Sequence, residues 1–86
     1  MQLNDTPRLA PGCRLHPTES VLLIPEGALN LHGPAREILQ QLDGKRTVED
    51  VVQELLKQYA GAPADDIRKD VVDLLERMQG HGVVRA

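Results

Sequence analysis

Phenylalanine and tryptophan are absent from this 86-residue sequence, and Tyr59 is its only aromatic residue. The core must therefore be built from leucine, valine and isoleucine, and aromatic anchors are not available to dominate a binding surface. Cys13 stands alone, which rules out an internal disulfide. No apolar run approaches the roughly 20 residues that span a bilayer. The start, MQLNDTPRLAPG, has neither the basic beginning nor the apolar stretch of a secretion signal, so a cytoplasmic protein with no membrane contact is expected. Gly-rich phosphate loops, paired-cysteine motifs and a nucleophile elbow are missing as well. The formal charge of −3, from 10 basic and 13 acidic residues, gives no electrostatic reason to expect affinity for nucleic acid or an anionic membrane.

What is present fits one small domain over residues 1–86, with stability that is marginal unless a partner adds buried surface. Pro7, Pro11 and Gly12 mark residues 1–12 as an arm that is flexible or exchanged with a neighbouring copy, which permits a homodimer. Cys13–His16 reads as a short first strand, Val21–Ile24 as a second and Ala28–Leu31 as a third. The Pro25-Glu26-Gly27 turn closes the last two into a hairpin. Leu29 and Leu31 alternate with Asn30, so one side of the third strand packs inward while the other stays polar.

Three helices follow. Pro34 suits a first helical turn, and Ala35, Ile38, Leu39 and Leu42 share a face before Asp43-Gly44 stops a helix over about Gly33 to Asp43. Thr47 with Asp50 three residues later reads as a capped start for the next, whose stripe is Val48, Val51, Val52, Leu55, Leu56 and Tyr59. Gly61 and Pro63 break the chain, and Ala64 to Gln79 forms the third. Its core side is Ile67, Val71, Leu74, Leu75 and Met78, and Val83-Val84 adds a last extended contact. Val72 lies about 100° round from Val71, on a flank shared with Arg68, Leu75 and Gln79, while the opposite flank carries Asp70, Asp73 and Arg77.

The residues that could carry chemistry are better explained as structure. His16, His32 and His81 have no second ligand at helical or turn spacing, so no metal site is expected. Cys13 has no base in its local sequence and reads as a packed or exposed thiol. Glu49, Asp50, Asp65, Asp66, Asp70 and Asp73 alternate with Lys57, Arg68, Lys69 and Arg77 as on a solvated helix face. So short a chain can hardly enclose a substrate, and neither an enzyme nor a cofactor is expected.

The words LLxPEG, ILxxLDG and TVEDVV, in this order and spacing, resemble the PqqD family over roughly Pro7 to Val84. That resemblance implies an α+β fold, an N-terminal antiparallel β-hairpin or three-stranded sheet followed by three helices in a winged helix-turn-helix-like arrangement. It also implies a non-catalytic peptide chaperone, a recognition element for ribosomally made peptides. Such a protein captures the precursor peptide PqqA and presents it to the radical S-adenosylmethionine enzyme PqqE in pyrroloquinoline quinone biosynthesis. By position it implicates Ala28, Leu29, Asn30 and Leu31 as the edge that receives the peptide as an added strand. On the third helix it implicates the flank carrying Arg68, Val71, Val72, Leu75 and Gln79. The enzyme would need a second surface, for which the arm before Cys13, the loop Asp43–Arg46 and the tail His81–Ala86 are candidates. The rival readings are a recognition domain for another peptide-modification pathway and a winged-helix DNA-binding regulator. The acids of the third helix, Asp65, Asp66, Asp70, Asp73 and Glu76, speak against DNA.

Overall fold

The chain runs β1 (Arg8–Leu9), β2 (Arg14–Leu15), β3 (Val21–Ile24), β4 (Gly27–Asn30), α1 (Ala35–Gln40), α2 (Val48–Gln58), α3 (Ala64–Gly80) and β5 (Val84–Arg85) in the computed structural model, which describes residues 1–86. The α+β arrangement of small antiparallel sheets and three helices agrees with the sequence. β3 and β4 pair with Ile24 opposite Gly27, so Pro25 and Glu26 alone form the loop. Gly27 leaves that loop at φ 147°, a region that side chains disfavour. β2 pairs on the other side of β3, giving the order β2-β3-β4.

The helices differ from expectation mainly at their ends. α1 is shorter than Gly33–Asp43, because Pro34 occupies the cap position with ψ 10° and Gly33 turns at φ 57°. At the other end Asp43 accepts hydrogen bonds from the backbone N–H groups of Lys45 and Arg46, both at 2.8 Å, which forms a turn where a helix could have continued. α2 begins with a full capping box: the Thr47 hydroxyl accepts from Asp50 N–H and the Asp50 carboxylate accepts from Thr47 N–H, each at 3.0 Å. Val48, Val51, Val52 and Leu55 are buried as the stripe requires, with Ile38, Leu39, Val71, Leu75 and Leu22 packed among them. Tyr59 leaves the stripe. It is the C-cap of α2, outside helical φ/ψ, and its side chain is 42 % exposed.

Residues 1–12, read from the sequence as a flexible or exchanged arm, are paired with their own chain in this structure. They lie against their own chain, with Arg8 and Leu9 of β1 opposite Arg85 and Val84 of β5. Pro7 C=O accepts from Gly44 N–H at 3.1 Å, and Ala10 N–H donates to Val83 C=O at 2.9 Å. The physical reason lies at α2, whose first N–H groups have no partner within the helix. Asp5 C=O accepts from Val48 N–H at 3.0 Å and Leu3 C=O from Glu49 N–H at 3.1 Å. Burial of Pro7, Ala10 and Val84 adds apolar contact to these bonds.

Candidate functional site

β4 is an edge strand, with β3 on one side and no strand on the other. Its register fixes which groups are free. Leu31 N–H donates to Ser20 C=O at 2.8 Å, so Leu31 and, two residues earlier, Leu29 direct their backbone groups toward β3. Ala28 and Asn30 therefore turn their N–H and C=O groups to the open side. The side chains follow the pleat: Leu31 is buried and Leu29 half-buried, whereas Ala28 and Asn30 are exposed. The edge thus offers two donors and two acceptors in a row, which is what an added strand requires.

His32, the residue after Leu31, borders a groove of about 720 Å³ between the start of α1 and one flank of α3. His32, Pro34, Ala35 and Ile38 form one wall, and Asp70, Asp73, Leu74 and Arg77 the other, with Glu76 at the lip. A smaller cavity of about 260 Å³ shares Pro34, Ile38 and Asp70 with it and extends to Leu55, Tyr59, Ile67 and Val71. Its lining is largely aliphatic. Tyr59 is fixed there by its hydroxyl, which donates to Glu37 Oε2 at 2.8 Å, and the carboxylate raises the phenol above its ordinary pKa. Three carboxylates against one guanidinium give the groove an acidic cast over an apolar floor.

The loop before β3 is held to α1 by Arg36. Its guanidinium donates to the carbonyls of His16 at 2.8 Å, Glu19 at 2.6 Å and Pro17 at 3.3 Å. His16 Nδ1 in turn accepts from the N–H groups of Thr18 and Glu19 at 3.2 and 3.0 Å. These contacts set Ser20, and through Ser20 they set Leu31 and the end of the edge.

The α3 residues predicted to line the site do not gather beside this groove. Val71 and Leu75 are fully buried, Val71 reaching only the floor of the smaller cavity. Arg68 is engaged across the helix pair by Glu49, with Nε to Oε2 at 3.0 Å and Nη2 to Oε1 at 2.8 Å. That bidentate contact, with a third bond donated by Gln53, holds the Glu49 carboxyl below its usual pKa. Val72 is half-buried against the core and Gln79 is exposed. The Met1 amino group, 3.3 Å from Glu76, and the Leu3 carbonyl on α2 bring the N-terminal segment along this same side. The groove opens instead on the flank of Asp70, Asp73 and Arg77, which the sequence presents as merely ionic. The missed residues are His32, Pro34, Ile38 and Leu74. A signal for them existed in the short His32-Gly33 connection, which forces α1 to begin beside the end of β4.

The remaining candidates stay dispersed. His32 borders the groove, His81 is the C-cap of α3, and Cys13 is a free, half-buried thiol. No group of three or more His, Cys, Asp or Glu side chains is placed to hold a metal ion.

Residues 19–84 match the profile of the family described as Coenzyme PQQ synthesis protein D (PqqD). A "PqqA binding protein" of Azotobacter vinelandii is 38 % identical over 78 residues, covering 86 % of this chain and 83 % of that protein. One from Xanthomonas oryzae pv. oryzae is 34 % identical over 86 residues, covering 95 % and 92 %. The solution structure of the PqqD truncation of Methylobacterium extorquens PqqCD, described as a functional and stand-alone recognition element for ribosomally synthesized and post-translationally modified peptides, superimposes with a TM-score of 0.78 at 31 % identity, over 93 % of this chain and 88 % of that one.

Proposed function

The chain belongs to the PqqD family, and on that premise we propose that it is a cytoplasmic, non-catalytic chaperone that captures the precursor peptide PqqA and presents it to the radical S-adenosylmethionine enzyme PqqE. One observation carries the reading: the open strand edge is followed at once in the chain by His32, which borders a groove lined on its other wall by α3. The peptide adds as a fourth strand, bonding to the outward N–H and C=O groups of Ala28 and Asn30, with Leu29 and Leu31 forming the face behind it. Past Leu31 its next residues enter the groove, where Ile38 and Leu74 receive apolar side chains. Asp70 and Asp73 at the rim favour a basic side chain there. On this reading α3 contributes the Asp70, Asp73, Leu74 and Arg77 flank in place of Arg68, Val72, Leu75 and Gln79.

The role is one of presentation. A bound strand is extended, and groups outside the groove stay accessible to an enzyme; the exposed carboxylates of this small fold form a solvated surface with no acid–base pair among them. The test is the PqqE reaction on synthetic PqqA, followed by mass spectrometry, with and without this protein. Cross-linked peptide accumulating in its presence, together with saturable PqqA binding by calorimetry, is the expected result. Absence of PqqA binding would overturn the proposal, whereas PqqA binding with no gain in cross-linking would remove the presentation step alone.

A further inference from the structure

The three segments left over from peptide capture, namely the N-terminal arm, the loop after α1 and the C-terminal tail, meet at one end of the molecule. Arg8 of β1 is directly opposite Arg85 of β5, and on its other side it bridges to Asp43 at the start of the loop that carries Lys45 and Arg46. All four cations are exposed. Like charges facing each other across an antiparallel pair are unfavourable. Such a pair is ordinarily relieved by a carboxylate, and here none relieves it. The ion pairs of the molecule engage Met1, Lys57 and Arg68, and none of these four. Asp43, which bridges to Arg8, turns Oδ1 back to the N–H groups of Lys45 and Arg46 and feels the charge of Arg46 without forming an ion pair with it. The stem of Arg8 lies over Gly44, with Arg8 Cβ and Cδ each 3.8 Å from where a Cβ would stand, which is ordinary contact distance.

We infer that this end, built around the opposed Arg8 and Arg85 with Lys45 and Arg46 beside them, docks a bounded acidic patch on the enzyme that modifies the captured peptide. The inference rests on the presentation role proposed above. β1 and β5 form a sheet separate from β2-β3-β4, so a peptide added to β4 leaves this surface free. The charge pattern favours a protein partner over a polyanion. Nucleic acid or a membrane sheet would extend beyond four cations and meet a chain of net charge −3. A folded enzyme offers an acidic patch of limited extent, and opposed charges of this kind govern association rate and register.

Arg85→Glu separates this role from a structural one, because the two move in opposite directions. A carboxylate opposite Arg8 relieves the repulsion, so the melting temperature holds or rises and PqqA affinity is unchanged. Association with PqqE, measured by biolayer interferometry at low salt, is expected to slow by about tenfold or more. Binding by the unaltered protein should weaken as salt rises. Lys45→Glu with Arg46→Glu gives a second variant outside the strand pair, with the same expected loss. If both variants stay folded and associate with PqqE as the unaltered protein does, this surface assignment is wrong. Uptake onto phosphatidylserine vesicles in preference to PqqE would overturn it in favour of a membrane. No association of the unaltered protein with PqqE would remove the presentation role itself, and this docking surface with it.

Discussion

Asn30→Pro tests strand addition at the level of a single N–H. Asn30 is exposed on the edge strand, opposite Val21, and the bond from Leu31 to Ser20 places the Asn30 N–H on the open side. Proline there removes a donor that nothing inside the molecule uses, and edge strands tolerate it, with Leu29 already in the extended conformation that a following proline demands. A single backbone hydrogen bond contributes about 0.5–1.5 kcal/mol net, which corresponds to about 2- to 13-fold in affinity. The ring adds a steric obstacle to a strand approaching within about 4.8 Å, so the loss should lie at or above the top of that range. Leu31→Pro is the contrasting variant. It deletes the bond to Ser20 from a residue only 7 % exposed, so the fold itself suffers. Calorimetric titration with synthetic PqqA, paired with thermal unfolding, distinguishes the two. Asn30→Pro melting near the unaltered protein and binding PqqA equally well would refute strand addition on β4.

Arg36→Ala frees three carbonyls of the loop that positions Ser20, so faster amide exchange over residues 17–20 and 31 should accompany weaker PqqA binding, read by hydrogen-exchange mass spectrometry. Thr47→Ala removes the hydroxyl half of the α2 capping box, at a cost of about 1 kcal/mol. In a domain of this size that lowers the melting temperature by about 4–8 °C with PqqA affinity retained. Glu49 is held by Arg68 below the ordinary glutamate value of 4.5. Its contribution to stability is therefore complete above that pH and is lost as pH falls through the lower value of the folded state. Melting temperature against pH should show a drop on that acid limb, and Glu49→Gln should start lower at neutral pH and fall less steeply.

The hairpin, the capped α2 and the stripe of α3 are legible in the sequence because local physics determines each. Pro25-Glu26 between apolar residues makes a tight turn, Thr47 with Asp50 makes a cap, and Val48, Val51, Val52 and Leu55 recur at helical spacing whatever surrounds them. Placing Ala28–Leu31 at a sheet edge drew on the family resemblance, and the strand order agrees with it. The docking of residues 1–12 is not legible, since it depends on β1 meeting β5 from the far end of the chain and on carbonyls of Leu3 and Asp5 meeting the start of α2. The same long-range contacts explain why the groove beside Asp70, Asp73 and Arg77 is not legible in the sequence. The N-terminal segment reaches Glu76 of α3 and the start of α2, and the ionic flank looks solvated until α1 is placed across from it. A helical wheel shows which residues share a flank, but not what the chain brings to it.

In the proposed complex PqqA lies as a strand along β4 and continues into the groove between α1 and α3. The measurement that tests it most directly is an isotope-edited NMR titration of this protein with synthetic PqqA. Saturable shifts are expected at Ala28–Leu31, at His32 and Ile38, and at Asp70, Asp73, Leu74 and Arg77, with Arg68, Val72 and Gln79 little changed. Shifts confined to Arg68, Val72 and Gln79, or none at excess peptide, would contradict it.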